Sequence, residues 1–85
     1  MHTVELLEEA VALAERAGYK LRHEWLGGGG GACEVKGQKW IFLDLASDPL
    51  DQLDHVLEAL RHDPNAVALP MPQALRDLIA VRRVA

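Results

Sequence analysis

Cys33, His23 and Asp44 are the residues of this 85-residue chain whose types could combine as nucleophile, base and orienting carboxylate. Cys33 also lies within LGGGGGACEVKG, residues 26–37, where Gly27, Gly28, Gly29, Gly30 and Gly31 could cradle a ligand. A phosphate-binding loop needs a lysine and a hydroxyl after its glycines, with a helix N-terminus behind them. Here Ala32, Cys33 and Glu34 follow instead, and a carboxylate repels phosphate. The five glycines therefore read as a mobile connection between strands, with a ligand role left only as a lid.

A reactive cysteine needs a cation, a histidine or a helix N-terminus to lower its pKa. Glu34 beside Cys33 has the wrong sign, and strand alternation turns Cys33 inward beside Phe42. The expectation is a small buried hydrophobe rather than a nucleophile. A second constellation, Asp51, His55, Glu58 and His62, falls at i, i+4, i+7 and i+11 on one helical stripe. Asp51/His55 or Glu58/His62 could give a metal two ligands. With no convergent ligands from other elements, the stripe reads as a solvated face of acid–histidine pairs. No metal or other cofactor is expected.

Tyr19, Trp25, Trp40 and Phe42 are the chain's only aromatics and share one central window. Set among Lys20, Arg22, Lys36 and Lys39, Trp25 and Trp40 could form a stacking platform for single-stranded nucleic acid. Trp25 and Trp40 also alternate as core positions should, and nucleic acid is not the expected partner.

The elements that must position these residues follow from periodicity. Val4, Leu7, Val11 and Ala14 repeat at helical spacing behind Thr3, a candidate N-cap, and Gly18 can end that helix. YKLRHEWL alternates: Tyr19, Leu21, His23 and Trp25 share one face, and Lys20, Arg22 and Glu24 the other. ACEVKGQKWIFLDL reads as a hairpin turning at Gly37-Gln38, with Cys33 opposite Phe42 and Val35 opposite Trp40. Cys33, Val35, Trp40 and Phe42 then form the inner face, and Ile41, Leu43 and Leu45 point away. Ser47 or Asp48 caps a second helix that buries Leu50, Leu53, Val56, Leu57 and Leu60; Asp63-Pro64-Asn65 ends it. Pro72 can start a last helix carrying Leu75, Leu78 and Ile79.

The pattern predicts one α+β domain over residues 1–85, with two layers and α-β-β-β-α-α order. Its sheet is three-stranded and antiparallel, over about 19–26, 32–36 and 39–45, against helices near 3–17, 49–62 and 72–82.

Charge separates along the chain. Glu5, Glu8, Glu9 and Glu15 against Arg16 leave residues 1–17 at −3, and residues 44–63 stand at −5. A net charge of −4 lacks the basic footprint of a duplex binder. A single cysteine and an acidic N-terminus point to a cytoplasmic protein, and no apolar run approaches a membrane span. A strand apolar on both faces, WIFLDL, normally has cover on both. The expected function is therefore a non-enzymatic interaction module. It pairs with a second copy or another protein through Ile41, Leu43, Leu45, Leu78 and Ile79. The rival expectation is a small-molecule or metal-binding enzyme using Cys33, His23 and Asp44 beside a glycine lid.

Overall fold

Helix α1, Thr3–Arg16, begins at Thr3, the expected cap, so the cap itself lies one position earlier. His2 takes the N-cap place, and its backbone N–H donates to Glu5 Oε1 at 3.3 Å. Glu5, three residues in, thus satisfies an amide that the helix cannot. At the other end Gly18, at φ 97°, lets the chain leave the helix, and its N–H donates to the Glu15 carbonyl. The computed structural model describes residues 2–27 and 30–80.

Three strands follow: β1 (Tyr19–Glu24), β2 (Gly31–Val35) and β3 (Gln38–Asp44). Their spatial order is β1-β3-β2, with β1 parallel and β2 antiparallel to β3. The sheet is therefore mixed, not the antiparallel sheet that the sequence suggested. β3 takes the centre because its inward residues Ile41 and Leu43 have no exposed surface, and a central strand has neighbours on both sides. The connection from β1 to β2 must then pass the end of β3 to reach the opposite edge. Gly30 runs against that strand: a Cβ here would collide with the Phe42 carbonyl oxygen. Gly30 thus has a packing reason, close backbone approach.

The hairpin turns at Lys36-Gly37, both with positive φ (50° and 80°), as a type I′ turn requires. That is one residue earlier than the expected Gly37-Gln38. Cys33 accordingly faces Trp40, and Val35 faces Gln38. A one-residue slide of the turn moves every partner by two places, so the division into faces survives.

The choice of inner face is reversed. Ile41 and Leu43, expected at the surface, lie in the core with Leu13, Leu53, Val56 and Leu60. Cys33 and Val35, expected inside, are exposed, and so is Trp25. Trp40 and Phe42 are half-buried and stand outside the core cluster.

Helix α2, Pro49–Arg61, has Asp48 as N-cap, accepting the Asp51 N–H at 2.9 Å. It lies across β2 and β3 while α1 lies against β1, and the two helices pack together. A single-turn helix, α3 (Pro64–Val67), follows where the sequence suggested a stop and then an extended segment. Asp63-Pro64 ends α2 and at once caps α3, since Pro suits a first helical position. The last helix, α4 (Gln73–Ala80), packs chiefly against α1 and α2. Ile79 is buried there and Leu78 half-buried, so neither forms the open surface expected of them. The expected continuation of this helix beyond 80 lies outside the described residues.

Candidate functional site

The three residues that could have formed a nucleophilic set are kept apart by the topology. Cys33 is exposed on edge strand β2, His23 is exposed on the opposite edge strand, and β3 separates them. They also point to opposite faces, Cys33 sharing a side with Trp40 and His23 with Leu43. Asp44 is buried at the end of β3 and accepts N–H bonds from Leu26 (3.3 Å) and Ala46 (2.9 Å). It holds the path of the chain leaving both parallel strands. The carboxylate that meets the start of the glycine connection is thus the protein's own. Of that connection Gly27 has φ 68° and Gly31 opens β2; Gly28 and Gly29 lie outside the described residues.

The α2 stripe is largely solvated. Asp51, Glu58 and His62 are exposed, and Glu58 pairs with both His62 (2.9 Å) and Arg61 (3.0 Å). His55 is half-buried, and its Nδ1 is buried without a hydrogen-bond partner among the described residues. No group of three or more His, Cys, Asp or Glu side chains among the described residues is placed to hold a metal. A groove beside this stripe reaches α4, but its two arginines are committed to main-chain carbonyls. Arg61 donates to Leu78 and Ile79, and Arg76 donates to Val67 and Leu69.

Sequence reasoning missed a polar cluster beneath the sheet. Asp63 Oδ2 accepts from Lys39 Nζ at 2.8 Å and from the Tyr19 hydroxyl at 3.0 Å, and Oδ1 accepts the Asn65 N–H at 2.9 Å. The Lys39 ammonium also lies 4.6 Å from the Tyr19 ring centroid. The cluster ties the α2–α3 junction to the first residues of β1 and β3. The bond from Lys39 chiefly lowers the Asp63 pKa below its ordinary 3.8, against the opposing effect of burial. Burial first, then Asp63, pushes Tyr19 up from 10.0 to about 12.

The signs make a prediction. Asp63 contributes stability that is present above its unfolded pKa and lost as pH falls through its lower folded value. Tyr19 contributes stability that is present below pH 10.0 and lost as pH rises toward about 12. Unfolding measured across pH should show both losses. Tyr19 is the only tyrosine, so tyrosinate absorbance reports it directly. Asp63→Asn should bring that titration back toward 10.0, and an unchanged titration would exclude the pairing.

The remaining distinctive surface is the sheet face opposite the helices. Trp40 and Phe42 stack along its centre, centroids 6.0 Å apart and planes inclined by 15°. Lys20 Nζ lies 5.6 Å from the Trp40 ring centroid, and Arg22, level with Phe42, reaches Glu24 at 3.7 Å. On the other side of the aromatic pair stand Gly31 and Cys33, too small to cover it, and Val35, which is 50% exposed.

No family model matches this chain, and no curated protein or solved structure matches it. Among the described residues no helix is long and apolar enough to cross a membrane.

Proposed function

We propose that the chain is a protein-interaction module that self-associates through its sheet. The observation that carries this reading is the exposed edge strand β2 with apolar side chains beside it. Trp40 and Phe42, half-buried, and Val35, half exposed, lie on the face away from the core, and β2 borders them as an edge strand. An edge strand offers main-chain groups to another chain, and the exposed apolar Val35 on it gains from being removed from water. Ile41 and Leu43 are taken up by the chain's own core, so the interaction surface passes from their face to the opposite one. Lys20 and Arg22 give this face some positive charge, but a net charge of −4 works against a polyanion as occupant. A second copy is the partner this reading names.

Size-exclusion chromatography with light scattering, over a wide concentration range, tests it. A species of twice the 9.4 kDa chain mass should grow with concentration. A monomer throughout removes self-association. A salt-sensitive complex with single-stranded RNA, formed by the monomer, would replace the reading.

A further inference from the structure

We infer that two copies pair through strand β2, antiparallel, with the dyad at Cys33, making one six-stranded sheet. This rests on the self-association reading and adds to it the surface and the register.

The two edges of the sheet differ. β1 carries Lys20, Arg22, His23 and Glu24, charged and bulky side chains of the kind that discourage further strand pairing. β2 is Gly-Ala-Cys-Glu-Val, with a single charge and no proline, and its last four residues are exposed. Nothing in its composition blocks an added strand.

Main-chain geometry then limits the register. Across the Lys36-Gly37 turn, Val35 and Gln38 exchange the turn's hydrogen bond. Alternation along an antiparallel ladder makes Cys33–Trp40 a bonded pair, and Ala32–Ile41 and Glu34–Lys39 non-bonded ones. The N–H and C=O groups of Ala32 and Glu34 therefore point outward, free for another strand. A symmetric pairing that uses them has its dyad at Ala32, Cys33 or Glu34. A dyad at Glu34 sets two carboxylates directly opposite, which is destabilising. A dyad at Ala32 pairs Glu34 with Gly30, outside the strand. A dyad at Cys33 pairs all five residues of β2, with Ala32 bonded to Glu34 of the other copy on both sides of the axis.

Charge favours this edge over face-to-face packing. Stacking two open faces would desolvate Lys20 and Arg22. Edge pairing leaves them in water and sends the two β1 strands to the outer edges. Those edges are five strand spacings apart, about 24 Å, well beyond a Debye length of about 8–10 Å.

The dyad makes Cys33 a reporter. It falls at a non-bonded pair, with Cα atoms about 4.5 Å apart, inside the disulfide range. Diamide should therefore link the native dimer quickly. Two Cys33 thiols give one disulfide, with two electrons and two protons passing to the azo group of diamide. Cys33→Ser combined with Glu34→Cys should link far more slowly, since that position faces Ala32 of the other copy. Ala32→Pro removes an outward N–H and leaves the β3 ladder intact, so it should weaken the dimer by about 10- to 100-fold. Circular dichroism checks its fold, and the cysteine pair decides the matter if the proline variant does not fold. A dimer that diamide does not link at Cys33, or that links equally at position 34, overturns the register and leaves self-association standing. A dimer unchanged by a folded Ala32→Pro overturns the edge in the same way. A monomer at every concentration overturns both.

Discussion

Leu43→Ala is expected to lower the unfolding free energy by about 2–5 kcal/mol. Leu43 has no exposed surface and sits mid-sheet in the cluster that joins α1, α2 and β3. Truncation there loses the transfer energy of the removed carbons and leaves a cavity that a packed interior closes only in part. A domain of this length has about 4–13 kcal/mol of stability in all, so the variant stands near the edge of folding. Val35→Ala, on the open side and half exposed, should cost less than about 1 kcal/mol. Denaturant titration of both at one chain concentration compares them directly. A large loss for Val35→Ala with a small one for Leu43→Ala would mean that the helices cover the other face.

That contrast bears on what the sequence could reveal. Alternation divides β3 into Trp40 with Phe42 on one side and Ile41 with Leu43 on the other. Both sets are apolar, so the strand itself does not say which is inside. The large aromatics suggested the core, yet the deciding signal lay on β1. Lys20, Arg22 and Glu24 mark its wet side, and the parallel register sets Arg22 beside Phe42 and Leu21 beside Ile41. The wet side of the sheet could be read once β1 was known to lie next to β3, and that adjacency is a long-range fact. Helices α1 and α2 were legible because their stripes, caps and stops are local.

The same limit governs the polar groups. Asp63 stands 44 residues from Tyr19 and 24 from Lys39, and no spacing rule links them. Locally, Asp63-Pro64 signals an end, and it signals a cap equally well; only the fold shows that it does both. Cys33, His23 and Asp44 failed as a set for the converse reason. Their types suit a chemistry, but residue type says nothing of which strand separates them or which face each takes.

Asp44→Ala is expected to cost about 3 kcal/mol, lowering Tm by about 12–24 °C for a domain of this size. The carboxylate is 2% exposed and accepts the Leu26 and Ala46 amides at the place where β1 and β3 both end. Bonds to a charged acceptor are worth more than neutral ones, and its removal leaves those donors facing a space with no acceptor. Asp44→Asn keeps one oxygen and the shape of the side chain, so its loss should be smaller. The expected order of stability is aspartate, then asparagine, then alanine. Thermal unfolding of the three proteins measures it. A residue kept for chemistry follows the opposite rule, since active sites hold groups that the fold would be more stable without. An Asp44→Ala protein as stable as the parent, or more so, would therefore return Asp44 to the candidates for catalysis. The predicted loss instead makes it the acceptor that lets the chain leave β1 and pass the end of β3.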